Sequence, residues 1–285
     1  MKKLLVCTDG SDYSDICCQY ATWLARLLDA KIDAVHVTEF AQMLEPTLAL
    51  NVGGGLGMAP VQELYEQIQK LEDQKCEKTQ EDTLKLFQEA SLSDRVSYHQ
   101  KTGDLVEILD TFETGDDSCD IVLLGKRGEH ANLAKRHLGS SLERVIRSSK
   151  KPCLVTPRRF REIKKIAIAC DGGPSVEKAV EFLKRTPALK GFDLTLISVD
   201  DNLPEGKAQQ NLAKAEEPLK AVGYSPKTKL LQGPVEEMIT DTVEDEKIDM
   251  LIMGAYGHSR IREMLIGSTT TILLHSCQIP LMLFR

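Results

Sequence analysis

Short apolar runs that stop at Asp or Gly alternate along this chain with stretches whose apolar residues recur at helical spacing. Strands joined by crossover helices in a parallel sheet leave this pattern. The first run ends as Val6-Cys7-Thr8-Asp9-Gly10 and is followed by Ile16, Tyr20, Trp23, Leu24, Leu27 and Leu28, which fall on one helical face. A matching run, Ile168-Ala169-Cys170-Asp171-Gly172, precedes a shorter apolar face of Val176, Val180 and Leu183.

The echo between these two starts is the first sign of an internal repeat. The aspartates lie 162 residues apart, as do Ala34-Val35-His36-Val37 and Leu196-Ile197-Ser198-Val199. Further on, Gly103-Asp104-Leu105-Val106-Glu107 answers Gly233-Pro234-Val235-Glu236-Glu237, and Asp120-Ile121-Val122-Leu123-Leu124-Gly125 answers Asp249-Met250-Leu251-Ile252-Met253-Gly254. Gly139-Ser140-Ser141 then pairs with Gly267-Ser268-Thr269, and Pro152-Cys153-Leu154-Val155 with Pro280-Leu281-Met282-Leu283. Six landmarks in one order predict two tandem α/β domains, residues 1–158 and 162–285, joined by the charged connection around Arg158–Glu162. Each half reads β-α-β-α-β-α-β-α-β. Right-handed crossovers favour a doubly wound, Rossmann-like domain with a five-stranded parallel sheet flanked by helices. Ligands of such sheets bind beyond the carboxyl ends of the strands, at the point where the strand order reverses. The offset falls by 32 between the second strand and Gly103, so the first half carries an insert there that includes Gly53–Gly57.

Composition narrows the class. A chain of 285 residues suits two domains, and 42% hydrophobic with 28% charged residues is the balance of a soluble globular protein. No stretch approaches the ~20 apolar residues of a membrane span. The apolar part of the N-terminus is too short for a signal-peptide core and reads as a strand, which predicts a cytoplasmic protein. A net charge of −7 argues against nucleic acid as partner. The eight cysteines, at 7, 17, 18, 76, 119, 153, 170 and 277, are scattered; they read as reduced thiols without the spacing of a structural zinc site, and no metal site is expected. Cys17, in the second turn of its helix, reads as a small apolar core residue rather than a reactive thiol.

The segment most suggestive of chemistry follows the strand that ends at Met253. Gly254-Ala255-Tyr256-Gly257, a linker and Gly267-Ser268-Thr269 form G-x2-G-x9-G-S-T and open a helical run. Glycine lets a phosphate approach the main chain without meeting a Cβ, and a helix N-terminus offers unpaired N–H groups and a positive dipole end. Turn formation by the glycines and helix capping by Ser268 stand as the alternative reading.

The Asp-Gly after the first strand, this glycine segment and a closing Pro-led apolar strand together resemble the universal stress protein family, over both halves. That resemblance implies an adenine-nucleotide-binding fold with five parallel strands, and pairing of domains through their last strands. Transferred position by position, it implies Ala169, Cys170, Asp171 and Val199 on the adenosine side, and Met253, Gly254, Gly257, Gly267, Ser268 and Thr269 around ribose and phosphates. Turn capping remains the alternative role for Asp171. In the first half the corresponding residues are Cys7, Thr8, Asp9 and Val37, then Leu124, Gly125, Gly128, Gly139, Ser140 and Ser141.

The first half departs from the pattern. Ten residues rather than nine separate Gly128 from Gly139, an extra residue that can rotate the helix start away from a phosphate. Lys126, Arg127, Lys135 and Arg136 could neutralise phosphate oxygens there; a solvated basic loop is the competing reading. The glycine-rich insert lacks the Lys-Ser/Thr pair of a P-loop and reads as a lid or a partner-contacting loop. His258 and His275 have no companions that define a catalytic set. The expectation is a stress-response regulator that binds ATP or a related adenine nucleotide, with or without Mg²⁺, in the second half, with a weaker or altered site in the first. Turnover is not expected beyond slow ATP hydrolysis or self-phosphorylation. A protein partner and a homodimer remain open, and the alternative is a dimerisation or scaffold module that binds no nucleotide.

Overall fold

The computed structural model describes residues 2–39, 58–128, 140–201, 203–255 and 267–285. The first half comprises β1 (Lys3–Thr8), α1 (Asp12–Leu28), β2 (Lys31–Thr38), α2 (Met58–Glu89), β3 (Val96–Thr102), α3 (Leu105–Glu113), β4 (Ile121–Gly125), α4 (Ser140–Ser148) and β5 (Cys153–Thr156). The second repeats it with β6 (Lys165–Ala169), α5 (Pro174–Lys184), β7 (Asp193–Asp200), α6 (Lys207–Ala221), β8 (Lys227–Gln232), α7 (Val235–Asp245), β9 (Met250–Gly254), α8 (Ser268–Ser276) and β10 (Leu281–Phe284).

Hydrogen bonding joins all ten strands in one sheet, ordered β3-β2-β1-β4-β5-β10-β9-β6-β7-β8. Within each half every pairing is parallel and the order reverses between β1 and β4, or β6 and β9. The halves meet through their last strands, antiparallel, with Leu281 opposite Val155, Met282 opposite Leu154 and Leu283 opposite Cys153. The two tandem doubly wound units are therefore fused into one sheet. Leu4, Leu5 and Val6 are all fully buried, as a strand covered on both faces requires. One apolar layer lies under α1, α2, α5 and α6, and another under α3, α4, α7 and α8; each runs across the seam.

Helix α1 shows what the helical spacing registered and what it missed. Tyr20 and Leu24 are buried, whereas Ile16, Trp23, Leu27 and Leu28 flank the core. The centre of the buried face is small: Cys17, Cys18, Ala21 and Ala25, which lets α1 lie close to β1 and β4. Burial pushes the Cys17 thiol up to about 12, so it packs rather than reacts.

Part of the first-half insert lengthens a helix. α2 has 32 residues against 15 in its counterpart α6. Cys76, Thr79, Thr83 and Phe87 form its buried stripe, while Glu66, Gln67, Lys70 and Leu71 are exposed. The Gly53–Gly57 loop lies outside the described residues. Among the described residues no helix is long and apolar enough to cross a membrane.

Candidate functional site

The turn after the first strand of each half is made by the Asp-Gly pair. Asp171 Oδ1 accepts from the Gly173 N–H at 2.8 Å, and Asp9 Oδ1 accepts from the N–H and hydroxyl of Ser11 at 3.0 and 2.6 Å. Ser11 in turn caps α1 by accepting from the Ser14 N–H. The following glycines sit at φ +76 and +75. Only glycine fits, because a Cβ on Gly172 would lie 2.2 Å from Asn211 Oδ1 of α6, and one on Gly10 2.6 Å from Thr79 Oγ1 of α2. The capping role weighed for the aspartate is thus real, and it occupies one carboxylate oxygen in each half.

Strand alternation then sorts the neighbouring residues. Ala169, Val199 and Met253 belong to the layer under α7 and α8, as Cys7, Val37 and Leu124 belong to that under α3 and α4. Cys170 points the other way, into the α5–α6 layer, with its thiol pushed up to about 12 by burial. Its carbonyl accepts from the Ser198 hydroxyl at 2.8 Å. Thr8, its counterpart, is also buried, and its carbonyl accepts from His36 Nδ1 at 3.0 Å. A carbonyl can only accept, so the proton of this imidazole is on Nδ1; burial lowers its pKa and favours the neutral ring. Cys170 and Thr8 are therefore buried on the opposite face of the sheet from Ala169, Val199, Cys7 and Val37.

The end of β9 and the start of α8 are drawn together across the 256–266 segment, which includes Gly257 and lies outside the described residues. Thr270 Oγ1 donates to the carbonyls of Gly254 and Ala255 at 3.3 and 3.2 Å, and the Gly267 N–H reaches the Ala255 carbonyl at 3.3 Å. Gly267 is the N-cap of α8 and supplies no side-chain cap, and Ser268 is exposed. Among the described residues no side-chain cap satisfies this N-terminus, the end of a helix that favours an anion. Thr269 is already engaged: its hydroxyl donates to Glu236 Oε1 of α7 at 2.7 Å. In the sequence Glu236 stands only as part of a repeat landmark, with no motif to mark it. Its carboxylate beside the helix start opposes a phosphate and competes for Thr269.

In the first half Gly128 lies against Asp9, since a Cβ there would be 2.6 Å from Asp9 Oδ2. Gly139 falls outside the described residues, and Ser141 is half-buried in the first turn of α4. Three residues on, Arg144 of α4 pairs with Glu39 at 3.1 Å and with Asp104, while Glu39 also accepts from the Leu105 N–H at 3.0 Å. This charge network, which ties β2, α3 and α4, replaces the neutral Ile272 of the second half.

Lys126 corrects an expectation. Instead of facing a phosphate it is buried, and its Nζ donates to the carbonyl of Cys277, the C-cap of α8 in the other half. Desolvation drives its pKa down to about 8, with the Arg127 charge adding to the effect. The ammonium sits where a helix C-terminus favours a cation, so it fastens the two halves. Arg127 is half-buried; Lys135 and Arg136 lie outside the described residues.

The two strand-order reversals, one of them beside the start of α8, define a tandem α/β protein of the doubly wound type. A model of the universal stress protein family matches residues 1–157 and again residues 162–285, and the chain belongs to that family. It is 38% identical over its whole length to the whole of universal stress protein Slr1230 from Synechocystis sp.. It is also 28% identical over 79 residues, 28% of this chain and 49% of the other, to universal stress protein MJ0577 from Methanocaldococcus jannaschii. The crystal structure of a universal stress protein from Archaeoglobus fulgidus shares the fold, with a TM-score of 0.71 at 20% identity over 99% of this chain and 98% of that one.

Proposed function

We propose that the chain is a cytoplasmic stress-response regulator that holds an adenine nucleotide, ATP first among them, in its second half. The observation that carries this reading is the start of α8, without a side-chain cap among the described residues, drawn against the end of β9 at a strand-order reversal. Ala169, Val199 and Met253 form an apolar wall for the base, and Asp171 stands at the ribose end. Gly254, Gly257, Gly267 and Ser268 are assigned to the phosphates, with Thr269 joining them once it releases Glu236. The residues present suit a nucleotide. Mg²⁺, if it accompanies ATP, would be held largely by the phosphates, with Ser268 and Thr269 as the nearest hydroxyls.

The first half, with Cys7, Asp9, Val37, Leu124, Gly125, Gly128, Gly139, Ser140 and Ser141 in the matching places, is a diverged site that binds more weakly. Two features support this ranking: the extra residue before Gly139, and a side chain of its glycine loop that is used to hold the halves together. The functional units are residues 1–158 and 162–285, and the role is binding and signalling to a protein partner rather than turnover. Millimolar ATP should raise the melting temperature of the purified chain by several degrees, since a ligand at many times its Kd stabilises the folded state. An unchanged melting temperature would overturn the reading.

A further inference from the structure

The seam between the halves contains a cleft of about 390 Å³ on the α5 side of the sheet. Six basic side chains and two carboxylates line it: Lys2, Lys150 and Lys151 from the first half and Lys178, Arg185 and Arg285 from the second, against Asp120 and Glu181. It shares no residue with the proposed nucleotide sites. Lys150 is paired with Asp110 at 2.6 Å, and Arg285 donates to the Arg147 carbonyl. Lys178 donates to the Arg285 main-chain oxygen at 2.6 Å, and Lys151 to the Ser118 hydroxyl at 3.2 Å. Lys2 donates to the Thr186 hydroxyl at 2.9 Å with its ammonium 4.9 Å from the Phe182 ring centre. Neither Lys2 nor Arg185 forms an ion pair among the described residues. Burial lowers the pKa of Lys2, and Asp120 only partly offsets this.

The internal repeat supplies a control within the same molecule. The two halves are related about the β5–β10 pair, so the same cleft should occur once more, and its lining can be read off by position. Lys178 and Arg185 correspond to Ile16 and Trp23; Lys150 and Lys151 correspond to Gln278 and Ile279. At that second location the connection between the halves covers the surface. The Phe160 ring lies 4.8 Å from that of Tyr20, the Arg161 N–H donates to the Tyr20 hydroxyl at 3.1 Å, and Trp23 packs on Phe192. That copy keeps Lys164 in place of Lys2 and is covered around Tyr20, whereas the other has four cations where it has Ile16, Trp23, Gln278 and Ile279.

We propose that the open copy is a binding site for a compact polyphosphate anion, whose charges are met by Lys2, Lys151, Lys178 and Arg185. A ligand there touches both halves and braces the seam. Its volume falls within the range of small-molecule sites, and phosphate is the anion that clustered Lys and Arg hold best.

The test is calorimetric titration of the full chain with inorganic tripolyphosphate at low salt. Binding should be saturable, change less than threefold in Gly267→Val, and weaken at least tenfold when Lys2→Met is combined with Arg185→Gln. Loss of binding in Gly267→Val would place the anion at α8 and overturn the proposal, as would an unaffected double variant. ATP that still binds Gly267→Val and shows the same dependence on Lys2 and Arg185 would mean that the cleft takes the phosphates of a nucleotide as well. If the double variant fails to fold, the unaltered protein still decides: tripolyphosphate should slow acetic anhydride modification of Lys2 and Lys151 at least fivefold relative to the exposed Lys70. Equal slowing of all three lysines would refute the site.

Discussion

The two halves share every strand and differ in what they do with the loop after the fourth one. In the second half Ala255 is small and buried, and the neighbouring carbonyls receive Thr270, so the loop is tied to its own helix. In the first half the equivalent residue is Lys126, and its side chain leaves the loop to reach the C-terminus of α8 across the seam. The first residue after the strand packs within its own half in one copy and reaches across the seam in the other. A duplicated domain can thus use a loop residue in one copy to hold the pair together while the equivalent residue of the other packs within its own half.

The largest effect should come from undoing that commitment. In the folded state Lys126 loses its proton near pH 8, whereas the unfolded chain keeps it to about 10.5. Between these values the unfolded state binds more protons, so this group makes stability rise with pH, by up to about 3 kcal/mol across the window, and contributes no slope below it. Denaturation measured from pH 7 to 10.5 should show this rise in the unaltered chain relative to Lys126→Met. Parallel curves would mean that the ammonium is not desolvated at the seam.

A smaller difference should separate the two turn glycines. Gly172→Ala meets an Asn211 amide held by its own hydrogen bond to the Asp171 carbonyl at 3.0 Å, and it should cost about 2 kcal/mol. Gly10→Ala meets only the Thr79 hydroxyl, which can rotate away, and should cost about 1 kcal/mol. Urea unfolding of both variants checks the order, and a larger loss at Gly10 would contradict it. The smallest effect is on affinity. Glu236→Gln removes a negative charge beside the start of α8 and weakens its hold on Thr269, so ATP should bind roughly three- to tenfold more tightly, about 1 kcal/mol. Weaker binding would show that Glu236 helps to hold the ligand.

Much of this was legible in the sequence because it is local. Strand ends marked by Asp-Gly, the glycine segment before α8 and the helical spacing in α1 depend on neighbours a few residues away. Contacts set by the third dimension were not. Lys126 reads as a phosphate-neutralising residue within Gly125–Gly128, and only its neighbour 151 positions away reveals it as a fastener. Glu236 and Asn211 carry no motif; their roles arise because α7 and α6 pack beside the crevice. Of the small residues at the centre of α1, Cys17 was legible as core, but Cys18, Ala21 and Ala25 do not stand out in a pattern of large apolar residues, although closeness to the sheet is what they provide. The cationic cleft needed both the antiparallel pairing of β5 with β10 and the comparison of its two copies.

The second half is proposed to bind nucleotide tightly, and the first, whose Lys126 fastens the seam, to bind it more weakly. Equilibrium dialysis of ATP against the unaltered chain, Gly267→Val and Gly139→Val tests it most directly. The account predicts close to one tight equivalent per chain, a loss of at least a hundredfold in affinity for Gly267→Val, and less than a threefold change for Gly139→Val. Two equal equivalents, or equal losses in the two variants, would contradict it.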